Sequence, residues 1–274
     1  MNMRQVHCKS RAIDVDKLLS QLSSEERDAI ALYINEDLTY DGVADKLRLK
    51  RWEAKRRIHN ALRSLRKLCG VQVVQIAPGY EVRYLPHFLE EPDADMWFSR
   101  LRAEVPWQPE KISMCGKQFV LKRQTAVFGA NYDYNPAAQN ALAWSPLLSE
   151  LRGLVEQALR VHFCSALCNL YPDGEAYIGW HQDAGHPQMI CSLSLGAVRE
   201  FRFAEIGSTR TAYSMELGHG SLLLIPESIN EQFKHMVPKS RKVTQPRISV
   251  TFRRFDVAQR EIRAAERSPF TTNG

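Results

Sequence analysis

The sequence predicts an α+β protein: a small all-α domain, then a β-rich domain of open-barrel or jelly-roll type with flanking helices. Three observations lead there. Up to Leu68, apolar residues recur at three- and four-residue spacing between helix-capping signals. From residue 80 the pattern changes to short alternating runs separated by turn residues. Charge is also uneven, since residues 1–70 carry fifteen Lys/Arg and ten Asp/Glu, a net +5 of the chain's +6. At 274 residues, 44% hydrophobic and 25% charged, the composition is globular and excludes a disordered or fibrous protein. No run of eighteen apolar residues occurs, so neither a membrane span nor a membrane partner is expected. The start MNMRQVHCKSR lacks a secretory pattern, and the six cysteines (Cys8, Cys69, Cys115, Cys164, Cys168, Cys191) form no CxxC pair. Both point to reduced thiols and a cytoplasmic setting, nucleoid-associated if bacterial. The expected division is 1–70, a linker at 71–80, a second domain at 81–256 and a polar tail at 257–274.

Ser23 is a capping serine followed by Glu25 and Glu26 in the first helical turn. Ala29, Ile30, Tyr33 and Ile34 supply that helix's apolar stripe, and Asn35-Glu36-Asp37 breaks it. Thr39 caps a second helix from Tyr40 to Leu47, with Val43, Ala44 and Leu47 inward. A turn at Arg48-Leu49-Lys50 leads to a third helix, where Ala54, Ile58, Ala61, Leu62, Leu65 and Leu68 line one face and Gly70 ends the run. Its other face is cationic: nine basic residues between 48 and 67 meet one acid, Glu53. Such a stripe attracts polyanions, and a short helix, tight turn and basic amphipathic helix make a helix-turn-helix. The stretch LSSEERDAIALYINEDLTYDGVADKLRLKRWEAKRRIHNALRSLRKL resembles region 4 of bacterial sigma factors. The resemblance implies that Lys50, Arg51, Trp52, Lys55 and Arg56 open a recognition helix and meet DNA. It departs at the turn, where Arg48-Leu49-Lys50 stands for the usual Gly-Ile-Ser.

Val71 to Val74 reads as a strand and Pro78-Gly79 as a turn. Beyond them, Asp93–Arg102 and Leu147–His162 carry helical stripes. Strand-like runs follow at Ile190–Leu195, Glu200–Phe203, Ala212–Leu217, Ser221–Ile225 and Arg247–Arg253.

Chemistry concentrates in three places. His181 and Asp183, two apart, share a face in extended chain and can meet one cation. His235 lies 52 positions after Asp183, and two imidazoles with one carboxylate make the open-sided triad of non-haem Fe(II) oxygenases. In Arg247–Arg253, Ile248, Val250 and Phe252 point one way while Arg247, Ser249, Thr251 and Arg253 point the other. Two arginines on an inward face need anionic partners, which a dicarboxylate would supply; two solvent-facing arginines on an edge strand read the same motif equally well.

With Asn169 and Tyr171, these elements run in the order NxY, HxD, H, RxSxTFR. Over NLYPDGEAYIGWHQDAG, SLSLGAVREFRF, LGHGSLLLI and QPRISVTFR the chain resembles the AlkB family of Fe(II)/2-oxoglutarate dioxygenases, in its nucleic-acid repair branch. The resemblance implies a double-stranded β-helix fold with Fe(II), 2-oxoglutarate and O2 as cofactors. His181, Asp183 and His235 would ligate iron. Arg247 and Tyr171 would hold the distal carboxylate of 2-oxoglutarate, and Asn169 and Arg253 the end nearest the metal, with Ser249 standing where the family usually has Asn. A second departure is Ala184 and Gly185 after the HxD motif, where the family tends to carry an acid that reads the base. Residues 121–129 with Tyr132 and Tyr134 look like the family's nucleotide-recognition lid. Arg123 there can pair with phosphate, the two tyrosines can stack on a displaced base, and Phe128 reads better as packing. Arg199 is expected at the pocket mouth.

The expected function is oxidative demethylation of N-alkylated bases in DNA, releasing formaldehyde, succinate and CO2. A base-hydroxylating or RNA-directed oxygenase and a DNA-binding regulator sensing iron, oxygen or 2-oxoglutarate are the alternatives. Nothing points to a protein partner.

Overall fold

In the computed structural model the described residues are 19–68, 70–114, 117–129, 141–183, 185 and 187–255. The chain forms two compact units, Met1–Gln72 and Val73–Gly274.

The first unit contains α1 (Ser24–Asn35), α2 (Tyr40–Leu47) and α3 (Arg51–Leu68). Both anticipated caps form. Ser23 Oγ accepts from Glu26 N–H while the Glu26 carboxylate accepts from Ser23 N–H, and Thr39 Oγ1 accepts from Gly42 N–H. Ala29, Ile30, Val43, Ala44, Ala54, Ile58 and Ala61 make the shared core, joined by Leu22. Ile34, read as part of the stripe, is 57% exposed because the core uses only the arc centred on Ala29 and Ile30. Arg48 ends α2 in the left-handed region, φ 53°, and its N–H donates to the Ala44 and Asp45 carbonyls. That conformation costs a side-chain-bearing residue roughly 1–2 kcal/mol. It is the position where glycine would be free of strain.

The second unit is a two-sheet sandwich. Its elements are β1 (Gln72–Ala77), β2 (Tyr80–Leu85), α4 (Glu91–Glu104), β3 (Gln108–Met114), β4 (Lys117–Gly129) and α5 (Pro146–Leu159). Then follow β5 (Ser165–Tyr171), β6 (Ile178–His181), β7 (Met189–Gly196), β8 (Arg199–Glu205), β9 (Tyr213–Leu217), β10 (Ser221–Pro226), α6 (Glu227–Gln232), β11 (Phe233–Val237) and β12 (Arg247–Arg254). The major sheet has the order β1-β2-β10-β7-β12-β5-β4-β3, and the minor sheet β6-β11-β8-β9. β12, last in sequence among the described strands, lies in the middle of its sheet, antiparallel to β5 and β7.

Strand alternation sorts side chains into two cores. On the outer face of the major sheet, Cys168, Leu193, Leu195, Leu222, Ile248, Val250 and Phe252 pack against Trp97 and Leu101 of α4 and Leu148, Leu151 and Val155 of α5. On the inner face, Val82, Tyr171, Leu223 and Ile225 meet Phe201, Phe203, Phe233 and Val237 of the minor sheet. A functional site between the sheets therefore draws on the inward residues of β5, β7, β11 and β12.

One expectation is corrected. The stretch 71–80 is not a linker: it is β1 and its turn, with Gly79 at φ 78°, and it extends the major sheet. Residues 121–129, which resemble a nucleotide-recognition lid, form the later part of β4, paired with β3 on one side and, from Gln124↔Leu170 to Gly129↔Ser165, with β5 on the other. Phe128 is core, in keeping with its reading as packing. The sequence does not announce α6, which is too short to show a helical period. Tyr132, Tyr134, Ala184 and the 257–274 tail lie outside the described residues. Among the described residues no helix is long and apolar enough to cross a membrane.

Candidate active site

The register of the minor sheet brings the two imidazoles together. His235 on β11 lies directly opposite His181 on β6, with ring centroids 4.3 Å apart. Asp183 follows β6 by two residues and returns to the same face. One ligand atom from each of His181, Asp183 and His235 lies within 4.8 Å of the others, a spacing that could hold a metal ion.

Local contacts fix each of these three side chains. His181 Nδ1 is 2.9 Å from the Gly179 carbonyl; a carbonyl only accepts, so Nδ1 carries the proton and Nε2 presents its lone pair. His235 stacks on Phe201, centroids 5.2 Å apart, which fixes its ring plane. Asp183 Oδ1 accepts from Arg253 Nη2, whereas Asp183 Oδ2 is buried with no hydrogen-bond partner. Asn230 of α6 clamps this segment. Its Oδ1 accepts from Asp183 N–H (3.0 Å), its Nδ2 donates to the Asp183 carbonyl (2.9 Å), and its own carbonyl accepts from Gln182 Nε2 (2.7 Å).

Charge follows from this packing. Burial opposes ionisation of Asp183, but the Arg253 guanidinium beside it and the two imidazoles overcome that and hold its carboxyl at about 2. Burial, then the neighbouring His181, pushes His235 down to about 3, and burial likewise lowers His181. At neutral pH the triad is thus two neutral imidazoles and one carboxylate, a donor set suited to a divalent cation.

The triad lines one end of a cleft of about 430 Å³, part of it open to solvent, whose walls include Asn169, Tyr171, Phe201, Arg247, Ser249 and Arg253. The alternation read in β12 holds: Arg247, Ser249, Thr251 and Arg253 line the cleft and Ile248, Val250 and Phe252 join the outer core. Arg247, 1% exposed, sits over the Tyr171 ring (5.2 Å) and donates from Nη2 to Ser194 Oγ (2.8 Å). Its Nε and Nη1 are buried without a hydrogen-bond partner. Unmatched donors on a buried cation fit an incoming carboxylate.

Two arginines are not where the sequence reading put them. Arg199 is 2% exposed and is not at the pocket mouth; it donates to the carbonyls of Asp173 (3.3 Å), Ala176 (2.9 Å) and Pro238 (2.6 Å). Converging loop carbonyls draw it inward. Arg123, read as a phosphate contact, is 4% exposed and bonded to Glu110 and Asn169, so it cannot meet a phosphate at the surface. The sequence reading missed Asn230, Ser194 and Glu110. Asn230 leaves no signal, because its partners lie 47 and 48 residues away.

In the first unit, the five residues read as DNA contacts are all exposed. Arg51 pairs with Asp41 (2.9 Å), Arg56 stacks on Trp52 (5.6 Å), Lys55 lies over Tyr40 (6.0 Å), and Lys50 stands in the turn. Arg57 is held instead by Glu53 (2.9 Å) and Glu25 (3.4 Å).

A jelly-roll sandwich holding two histidines and an aspartate beside a carboxylate-seeking arginine defines a non-haem iron oxygenase that uses a 2-oxoacid. A model described as "2OG-Fe(II) oxygenase superfamily" matches residues 81–253, and one described as "Sigma-70, region 4" matches residues 18–67. The chain is 30% identical over 200 residues to alpha-ketoglutarate-dependent dioxygenase alkB homolog 3 of Bos taurus, covering 67% of this chain and 70% of that one. It is 30% identical over 181 residues to DNA oxidative demethylase ALKBH2 of Bos taurus, covering 59% of this chain and 64% of that one. The solved structure of OsALKBH1 shares the fold at 16% identity and TM-score 0.51, over 68% of this chain and all of that one (100%). The chain belongs to the 2OG-Fe(II) oxygenase superfamily, among the AlkB homologues. Its cofactors are accordingly Fe(II), 2-oxoglutarate and O2.

Proposed function

We propose that this oxygenase removes N-alkyl groups from bases in DNA, with the N-terminal unit binding duplex through Lys50, Arg51, Trp52, Lys55 and Arg56. One observation carries the catalytic part: His181, Asp183 and His235 converge on the cleft that also receives the unmatched donors of Arg247. Similarity to a DNA oxidative demethylase supports the substrate class. The exposed cationic start of α3, in a segment matching sigma-70 region 4, supports the DNA contact.

His181, Asp183 and His235 hold the iron. Arg247 and Tyr171 take the distal carboxylate of 2-oxoglutarate, a planar fork suiting it better than a lysine would. Asn169, Ser249 and Arg253 border the end nearer the metal, where Arg253 also holds the Asp183 carboxylate in place. Phe201, Ile178 and Val237 wall the cleft with apolar surface and limit water. When bound, Fe(II), 2-oxoglutarate and O2 together supply the oxidant, hydroxylating the N-methyl carbon while releasing succinate and CO2. The resulting N-hydroxymethyl group breaks its C–N bond and leaves as formaldehyde, returning a proton to the base nitrogen.

The test is anaerobic loading of the full chain with Fe(II), then addition of O2, 2-oxoglutarate and methylated oligonucleotides. Formaldehyde released with succinate supports demethylation. Succinate with a hydroxyl retained on the base replaces it by base modification. Absence of both, with duplex binding intact, replaces it by a sensing regulator.

A further inference from the structure

Arg123 lies on β4, buried beside the cleft wall on the same strand face as Thr125, which pairs with Asn169. Its Nε donates to Glu110 Oε2 on β3 (2.8 Å), Nη2 meets the same oxygen, and Nη1 donates to Asn169 Oδ1 on β5 (3.0 Å). Asn169 Nδ2 in turn lies 3.4 Å from Ser249 Oγ on β12. Asn169 and Ser249 line the cleft, and Arg123 is not among the lining residues. The chain Glu110–Arg123–Asn169–Ser249 thus runs from the outer hairpin to the cleft.

The chemistry of this chain has a direction. A guanidinium offers only donors, so the Asn169 atom it meets must be the carbonyl oxygen. That assignment turns Asn169 Nδ2 toward Ser249 and the cleft. Without Arg123 the amide is free to rotate by half a turn and present an acceptor instead. Facing a carboxylate, such a flip replaces an attraction by a repulsion. Glu110 matches the charge of Arg123, so this cation does not compete with Arg247 for the anionic ligand.

We propose that Arg123, anchored by Glu110, is a positioning residue for the cosubstrate: it locks the Asn169 amide so that Nδ2 donates to a 2-oxoglutarate carboxylate. The proposal rests on the cosubstrate reading given above. Ser249 adds to the dependence, because a hydroxyl stands where a second amide would otherwise share the ligand.

The test titrates 2-oxoglutarate calorimetrically into the full-length Fe(II)-loaded protein without O2. The paired variant Arg123→Leu/Glu110→Gln should weaken 2-oxoglutarate about tenfold, the usual size for removing a ligand's supporting hydrogen bond. The KM for a methylated oligonucleotide should stay unchanged. In an Asn169→Ala background the same pair should have no further effect, since no amide remains to orient. Glu110→Gln alone, at a partly exposed position that tolerates substitution, should weaken 2-oxoglutarate by a smaller factor. Unchanged 2-oxoglutarate affinity with a raised oligonucleotide KM would overturn the proposal and return Arg123 to the substrate. Additive losses with Asn169→Ala would also overturn it, as general damage to the wall. If the unaltered protein took up Fe(II) but no 2-oxoglutarate, the cosubstrate reading would fall, and this proposal with it.

Discussion

Asn230 is not among the residues lining the cleft, yet three hydrogen bonds through its side chain and carbonyl hold the backbone of Asp183 and the side chain of Gln182. Asn230→Ala should raise the Fe(II) dissociation constant by about tenfold or more, as removal of supporting hydrogen bonds at metal sites does, which anaerobic equilibrium binding measures. Protons test the same cluster. His235 is held at about 3 in the folded chain against 6.5 when exposed, so below 6.5 the unfolded chain binds more protons and stability falls with pH. Asp183, at about 2 against 3.8, adds a second loss below 3.8 of the same sign. The melting temperature of metal-free protein should therefore drop from pH 7 to pH 5, and His235→Gln should flatten that dependence. At this scale the ligands are legible because HxD and RxSxTFR place chemistry at strand spacing. Arg199 and Arg123 are not, because sequence gives a charge without saying which carbonyls or carboxylates will surround it.

β12 carries two functions on two faces, and substitutions should separate them. Val250→Ala, on the outer face, should lower unfolding stability by about 2 kcal/mol in denaturant melts while leaving 2-oxoglutarate affinity unchanged. Arg247→Met should abolish 2-oxoglutarate binding with little loss of stability, because it removes a buried cation whose Nε and Nη1 are unmatched in the free protein. Alternation makes this strand readable from sequence, as caps make α1 and α2 readable. β4 is not readable in this way. Its polar stretch Lys122–Thr125 carries no strand signal of its own, and pairing with β3 on one side and β5, over forty residues distant, on the other makes it strand.

Two units of different composition imply a division of labour across the whole chain. Replacing Lys55 and Arg56 by Ala should lower the salt slope of duplex binding by about two, one for each phosphate no longer neutralised, in titrations at several salt concentrations. Turnover of a short methylated oligonucleotide should not change. The boundary is legible from the shift in charge and period near residue 70, and so is the strand begun at Val71–Val74 with its turn at Pro78-Gly79; that this strand joins the edge of the major sheet beside β2 is not, because pairing partners leave no local signal. The position of β12 has a further consequence during synthesis. Arg247, proposed to anchor the oxoacid, lies on the strand that closes the middle of the sheet, and among the described strands of that sheet this one leaves the ribosome last. A nascent chain halted before Arg247 leaves one edge of β5 and one edge of β7 unpaired, so aborted translation yields aggregation-prone fragments and no partially active oxygenase.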